Sequence, residues 1–220
     1  MKDPAPPIRI EPRWPLVLAT LAVLCVLTFL PARVRLFPSW FPYLIGIALL
    51  LPMALVWLRG GQPRWLRVER TTTLAFSVLA EAVTLTTVLY LVVAMLNRPE
   101  DFSGRQLLTS SIGAWITNVL AFSLVYWRID RGGPEARAND AGTKPDWLFP
   151  QTGVPEEAPP HWRPTYIDYL FLAFATAMAF SPTDALPLTS RAKLLMMLES
   201  TVSLLTLVTV AARAINILGG

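Results

Sequence analysis

The sequence is poor in charge, cysteine and histidine, and each shortage excludes a class of protein. Only 15% of the 220 residues are charged, against about 25% in an average soluble domain. The charges cluster in short polar stretches between long apolar runs, and 54% of the residues are hydrophobic. This pattern is typical of a polytopic membrane protein and excludes an ordinary soluble core.

With a single cysteine and a single histidine, the chain has few side chains for disulfide formation or metal binding. Cys25 lies in an apolar run without a second cysteine, so no intramolecular disulfide can form. His161 lies in a Pro-rich stretch without a second ligand nearby, whereas zinc sites use three or four ligands. No metal or other cofactor is therefore expected. Because the membrane segments hold no nucleophile–base constellation, no enzyme is predicted. The net charge of +4 comes from arginines beside the apolar runs, which predicts no nucleic-acid partner.

Apolar segments predict an all-α bundle of six transmembrane helices in the lipid bilayer. A helix needs about 20 residues to cross the hydrocarbon core, and the second, third, fourth and sixth segments satisfy this. Tryptophans near the predicted boundaries are expected to form an aromatic belt. The segments are Pro15–Leu30, Trp40–Leu58, Thr72–Leu96, Leu107–Trp127, Tyr166–Phe180 and Ala192–Leu218, and the tryptophans are Trp14, Trp40, Trp57, Trp65 and Trp127.

The fifth segment leaves two alternatives open, a crossing helix and a re-entrant one. Its apolar core, YLFLAFATAMAF, has 12 residues, and runs of about 10–14 are typical of re-entrant or interfacial helices. Charge favours six crossings, because 13 of the 19 Lys and Arg residues then lie inside. If the fifth helix instead re-enters from the outside, as in a channel, five of these Lys and Arg residues lie inside. The sequence therefore predicts six crossings of a bacterial-type inner membrane, with both termini in the cytoplasm.

The polar stretch between the fourth and fifth segments divides the chain into three parts. Residues 1–127 are predicted to be a four-helix membrane region, 128–164 a polar Pro-rich loop and 165–220 a pair of helices. The loop holds seven prolines and 11 charged residues. Such a composition predicts a flexible or loosely docked segment that buries no core.

The C-terminal quarter resembles the pore region of two-helix potassium channels. In YLFLAFATAMAFSPTDALPLTSRAKLLMMLES, an aromatic-rich helix ends in a Thr-containing turn, and Asp184-x-x-Pro187-x-Thr189 and a long helix follow. The resemblance implies a pore-like helical pair and a homo-oligomer. The filter positions 179–183 read AFSPT, without the glycines whose carbonyls all turn inward, and Pro182 fixes its own φ. A potassium filter is excluded. The whole chain also resembles uncharacterised bacterial multi-pass membrane proteins, which imply no activity.

The turn after the fifth segment has two interpretations. Side chains such as Ser, Thr and Asp bond to nearby backbone and Pro sets φ, so this is a good turn sequence in front of a helix capped by Thr189 or Ser190. The functional alternative is a small polar vestibule around the aspartate. The residues of this pore-like turn are Ser181, Pro182, Thr183 and Asp184.

Two glutamates inside the predicted membrane helices are the candidate functional residues. Glu81 lies about ten residues into the third segment, and Ser77 and Thr84 share its helix face. Glu199 and Ser203 share a face of the last helix. Antiparallel packing puts both carboxyls at similar depth, where Asn118 of the fourth segment can join them. Ionisable residues at such depth cost about 2.5–3.5 kcal/mol or more and usually face the bundle interior or water.

These residues support two hypotheses of function. The first is a channel-like or transporter-like protein for a small ion or proton, with Glu81 as the relay. The second is a non-catalytic scaffold or accessory subunit, in which protonated carboxyls bond to neighbouring hydroxyls and hold the helices together.

Overall fold

The chain folds into a helical bundle with one small strand pair. The computed structural model describes residues 11–29, 37–58, 62–97, 103–139, 141–178 and 184–218. Its helices are α1 Trp14–Phe29, α2 Phe41–Leu58, α3 Pro63–Asn97, α4 Gly104–Ile129, α5 Pro134–Ala138, α6 Pro150–Gly153, α7 Tyr166–Met178 and α8 Ser190–Leu218. A 3-10 turn, Asp130–Gly132, follows α4, and β1 Trp147–Leu148 pairs antiparallel with β2 Leu186–Pro187.

The six longer helices coincide with the six predicted segments, and local signals explain where they begin. α3 starts nine residues earlier than predicted, at Pro63, because proline suits the first helical position. The side chain of Ser103 caps α4 in a capping box with Gln106. Thr189 accepts a hydrogen bond from the backbone N–H of Ala192 at 3.3 Å, which confirms the predicted cap of α8.

α4 is the centre of the bundle and contacts α1, α3, α7 and α8. Its apolar side chains point into the core on most sides, which suits a helix with neighbours all round. The buried hydrophobic residues on α4 are Leu107, Ala114, Val119, Ala121, Phe122, Leu124, Tyr126 and Trp127. This central helix carries polar groups at two depths, and both polar clusters described below use it.

Ion pairs between helix ends define one end of the bundle. Arg13, just before α1, lies 2.5 Å from a carboxylate oxygen of Glu135 and 3.5 Å from Glu69 near the start of α3. Glu69 also lies 2.7 Å from Arg128 at the end of α4. We call this end, together with residues 130–165, the cap end, and the opposite one the far end. α1 and α3 run from the cap end to the far end, and α2 and α4 return.

α7 and α8 both begin at the cap end, which six crossings would not allow. Strand β1, before α7, pairs with β2, after α7. The guanidinium of Arg191, at the start of α8, binds both carboxylate oxygens of Asp146 at 2.6 and 2.5 Å. The hydroxyl of Tyr166, at the start of α7, lies 2.7 Å from that of Ser123 on α4. The chain therefore enters the bundle along α7 and returns to the same end.

This return changes the predicted arrangement of the termini. α7 has 13 residues and extends about 20 Å at 1.5 Å per residue, which is short for a crossing. α8 then runs from the cap end to the far end, so it ends opposite to residues 11–13. Residues 11–13 and the end of α8 therefore lie at opposite ends of the bundle, whereas the sequence predicts both termini on one side of the membrane.

Among the described residues, three helices are long and apolar enough to cross a membrane. They are Arg64–Val93 of α3, Arg105–Gly132 of α4 with its 3-10 turn, and Ser190–Ala211 of α8. The helices α1, α2 and α7 are apolar and shorter. The large exposed side chains on the outside of the bundle include Ile47, Val78, Phe171, Leu194 and Met197, as expected for a surface in contact with lipid.

Parts of the polar stretch 128–164 pack against the helices, so the prediction that this stretch buries no core is wrong. Trp147 and Phe149 belong to the hydrophobic core, and Arg137 and Asp146 are buried with them. Trp127 also differs from its predicted place in an aromatic belt. Its side chain is fully buried. The indole N–H donates to Glu11 at 2.9 Å, and the guanidinium of Arg128 lies 4.6 Å from the centre of its ring.

Candidate functional site

Glu199 is the centre of a buried hydrogen-bond cluster where α4 meets α8. The phenol of Tyr126 donates to its carboxylate at 2.5 Å. The side-chain amide of Asn118 donates to the backbone carbonyl of Glu199 at 3.2 Å and to the hydroxyl of Ser203 at 2.8 Å. All four side chains are buried. The structure therefore brings together three of the predicted site residues and adds Tyr126, which the sequence analysis missed.

Glu81 lies beside this cluster on α3. Both oxygens of its carboxyl are buried, and neither has a hydrogen-bond partner among the described residues. Glu81, Tyr126 and Glu199 are close enough for their charges to interact. Leaving a buried polar group unsatisfied costs about 1–3 kcal/mol and more for a charge. This carboxyl is therefore the feature of the bundle interior that packing alone explains least.

A cavity of about 270 Å³ lies between α3, α4 and α8, and Glu81 is one of the residues that line it. Its walls are almost entirely apolar, with Phe122, Leu195 and Val202 among them, and Ser77 is the other polar residue in the lining. Val78, also in the lining, is exposed on the outside of the bundle. The site thus combines a buried carboxyl with an apolar space at the edge of the helix bundle.

The predicted hydroxyl stripe on α3 is buried, but its hydroxyls bond within the helix. Ser77 donates to the carbonyl of Thr73 at 3.0 Å, and Thr84 donates to that of Ala80 at 2.8 Å. Hydroxyls in helices commonly bond to the carbonyl four residues earlier in this way. The structure therefore places Ser77 and Thr84 on the same helix face as Glu81 without joining their hydroxyls to its carboxyl.

The pore-like turn is only partly described. Ser181, Pro182 and Thr183 lie outside the described residues, and Asp184 is exposed. Asp146 takes the central place in this part of the cap end. Its backbone carbonyl accepts from Leu188 N–H at 2.8 Å, and its carboxylate accepts from Thr189 at 2.6 Å as well as from Arg191.

A second polar cluster at the cap end consists of ion pairs that the sequence analysis missed. Arg128 and Glu69 are both fully buried, and Arg128 also donates to Thr73 at 3.3 Å. Asp130 accepts from the phenol of Tyr169 at 2.5 Å and from the backbone N–H of Asp146 at 2.7 Å. The sequence did contain a signal for the Glu69–Arg128 pair. The two residues have opposite charges and lie beside the ends of adjacent segments that are predicted to be antiparallel.

Burial also affects Glu11 at the cap end. Loss of solvation raises the pKa of the Glu11 carboxyl above its ordinary value, and the charge of Arg137 and the hydrogen bond from Trp127 oppose that rise. Arg137 donates to the backbone carbonyls of Trp127 and Asp130 at 2.8 and 2.9 Å. The segment that follows α4 is therefore attached to the N-terminal part of the chain by charge and hydrogen bonds together.

The two clusters differ in the chemistry they can perform. The cap cluster pairs each buried carboxylate with a cation or a donor, which is the arrangement of a structural network. The Glu81–Glu199 cluster has carboxyl and phenol groups that can bind and release protons. Within the described ranges, no three His, Cys, Asp or Glu side chains come together as metal ligands. No family model, curated protein or solved structure matches the chain.

Proposed function

We propose that the chain is a multi-pass membrane protein that moves protons, or a small cation together with protons, with Glu81 and Glu199 as the proton-binding groups. The observation that carries this proposal is Glu81, which lines a cavity and whose carboxyl is buried and lacks a described hydrogen-bond partner. Ionisable groups at membrane depth are costly and typically mark ion or proton pathways.

The position of the re-entrant helix α7 favours transport of a cation rather than an anion. Ser200, next to Glu199, donates to the carbonyl of Thr176 in the last turns of α7 at 3.3 Å. The C-terminal end of α7 therefore lies level with Glu199. Because a helix carries about half a negative charge at its C-terminus, this end of α7 and the nearby carboxyl both favour a positive ion.

The proposed topology has five crossings and one re-entrant helix, with the cap end in the cytoplasm. The sequence segments at the cap end then hold 14 of the 19 Lys and Arg residues, and those at the far end hold five. This agrees with the positive-inside rule better than six crossings do. A channel-like re-entrant helix enters from the outside, whereas α7 here enters from the cap end.

Three cysteine variants on a Cys25→Ala background test this topology. Ser190 and Glu156 are exposed at the cap end, and Ser39 is exposed at the far end. We expect an impermeant thiol reagent to label Ser39→Cys in intact cells. Ser190→Cys and Glu156→Cys should react only after the membrane is opened, since both lie on the cytoplasmic side.

The comparison of Ser190→Cys with Glu156→Cys decides between the two topologies. Six crossings predict that these positions react on opposite sides of the membrane. If the two cysteines react from the same side of the membrane, whichever side that is, the result supports a re-entrant α7. If Ser190→Cys reacts like Ser39→Cys, the five-crossing topology is wrong.

A scaffold or accessory subunit is the second candidate function. The cavity walls favour it, because the lining is apolar apart from Glu81 and Ser77. In this case the Glu199 cluster holds α4 and α8 together and moves no ion. A folded protein that shows no flux would support the scaffold and contradict transport.

The experiment for the proposed function is proton flux through the purified protein in liposomes. Wild type should carry protons down an imposed gradient, and Glu81→Gln should not.

A further inference from the structure

We infer that the exposed face of α3 near the cap end binds one anionic phospholipid, with its phosphate at Arg67 and Arg70 and an acyl chain along the apolar residues that follow. A groove of about 650 Å³ runs along this face. The residues that line it include Arg70, Leu74, Ala75, Val78 and Ala82. The inference concerns the outer surface of the bundle and does not rest on the proposed transport.

The groove is open to the surroundings of the bundle. Among the described residues, α3 alone lines it, and Val78 in its wall is 66% exposed. Ala75 and Ala82 lie two turns apart on one helix face and leave space beside the larger Val78 and Leu79. Since α3 is long and apolar enough to cross a membrane, lipid chains are the natural neighbours of this surface.

The length of the groove matches one leaflet of a bilayer. From Thr71 to Ala82 it extends about 17 Å at 1.5 Å per residue. Half of the hydrocarbon core is about 15 Å thick. When Ala82 lies near the middle of the bilayer, Arg70 therefore lies at the depth of the headgroups, as one bound phospholipid requires.

The cap end of the groove carries positive charge without a compensating carboxylate. Arg64, Arg67 and Arg70 are all exposed, and within the described ranges none of the three takes part in an ion pair. Glu69 lies between them in sequence, but its side chain is buried and pairs with Arg128. Clusters of arginine beside a membrane helix attract anionic lipids.

Arg70 is held beside the groove by a contact with the cap end. One of its terminal nitrogens donates to the backbone carbonyl of Gly132 at 3.1 Å. Because this carbonyl is neutral, the guanidinium keeps its charge, and it has further N–H groups for a ligand. Arg67 lies three residues earlier, at a neighbouring position on the helix surface. Two such guanidinium groups suit the oxygens of a phosphodiester.

Charge favours an anionic phospholipid over a second copy of the chain or a zwitterionic lipid. Copies in one membrane have the same orientation, so a two-fold contact along this face of α3 would bring Arg67 and Arg70 of both copies together. Like charges at that distance repel each other. A zwitterionic lipid would leave the net charge of the arginines uncompensated.

Native mass spectrometry of the purified protein in a neutral detergent tests the site, because it counts bound lipid molecules and reports the mass of any oligomer. Phosphatidylglycerol and phosphatidylcholine with the same acyl chains are titrated separately. We expect the first phosphatidylglycerol molecule to bind at least about tenfold more tightly than phosphatidylcholine.

Removing both charges should weaken the binding of phosphatidylglycerol. The double variant Arg67→Gln, Arg70→Gln should lower the affinity by about thirtyfold, since each arginine at the membrane surface contributes to the attraction. Arg105→Gln is the matched control. Arg105 is an exposed arginine at the start of α4, at the far end, and its loss should change the affinity by less than about twofold.

Ala75→Phe keeps the test valid if the double variant fails to fold. Ala75 is exposed and lines the groove, so phenylalanine fills the space for the acyl chain while both arginines remain. It should lower the affinity for phosphatidylglycerol by about tenfold. Ala48→Phe is the matched control, because Ala48 is exposed on α2 and does not line the groove.

Three outcomes would overturn the inference. The first is equal affinity of the wild type for phosphatidylglycerol and phosphatidylcholine. The second is a loss in the double arginine variant no greater than in Arg105→Gln, or a loss in Ala75→Phe no greater than in Ala48→Phe. The third is a wild-type dimer that Ala75→Phe dissociates, which would assign this face of α3 to a second copy of the chain.

Discussion

Replacing Arg128 with methionine should lower the free energy of unfolding by about 3–5 kcal/mol, the usual cost of removing one partner from a buried ion pair. Arg128 and Glu69 are both fully buried, and their side chains meet at 2.7 Å. Without Arg128, the one cation that still contacts the Glu69 carboxylate within the described ranges is Arg13, at 3.5 Å. Denaturant unfolding in detergent micelles measures the loss.

Two controls separate the buried charge from the shape of the side chain. The double variant Glu69→Gln, Arg128→Met removes both charges and should recover most of the lost stability, because no uncompensated charge remains. Arg67→Met, on the exposed face of α3, should change the free energy by less than about 0.5 kcal/mol. If Arg128→Met were as stable as Arg67→Met, the cap cluster would not be the structural network described above.

Replacing Glu81 with glutamine should reduce proton flux by at least about a hundredfold, the lower range of what a positioned proton-transfer group contributes. Glutamine has the size of glutamate and cannot release a proton at the cavity. Since both carboxyl oxygens lack a described partner, the substitution removes no hydrogen bond from the fold. The variant should therefore unfold at the same denaturant concentration as wild type.

Thr84→Val is the matched control for Glu81→Gln. Thr84 is buried on the same face of α3, and its hydroxyl bonds to the carbonyl of Ala80 within the helix. Flux through Thr84→Val should stay within about twofold of wild type, since this hydroxyl does not contact the carboxyl. Equal loss in both variants would show that the flux depends on packing of α3 and would contradict a relay at Glu81.

The sequence predicts the helices well because an apolar run is a local property. The ends of α1, α2 and α7 lie within two residues of their predicted positions, whereas the start of α3 lies nine residues earlier than predicted. Residues 63–71 are polar, and hydropathy cannot distinguish a helix that continues into water from a loop. The composition of 128–164 could not predict that this stretch contributes to the core. Its core residues, Trp147 and Phe149, pack against helices that are distant in sequence.

The deep site was predictable in part. Glu81 and Glu199 were expected at similar depth with Asn118 near them, and Ser203 on the same helix face as Glu199; the structure brings Asn118, Glu199 and Ser203 into contact. Tyr126 was missed because a tyrosine near a helix end looks like an interfacial anchor. The pairing of Glu69 with Arg128 was missed because it depends on which helices are neighbours, and hydropathy alone does not specify this.

Proton flux by the wild-type protein tests the central claim most directly. The purified protein is reconstituted into liposomes that contain a pH-sensitive dye, a pH gradient is imposed, and valinomycin with potassium holds the membrane potential at zero. Transport through the Glu81–Glu199 cluster predicts acidification faster than in protein-free liposomes, and a return to the protein-free rate in Glu81→Gln. Wild-type liposomes that acidify no faster than protein-free ones, with the protein folded, would contradict the proposed function.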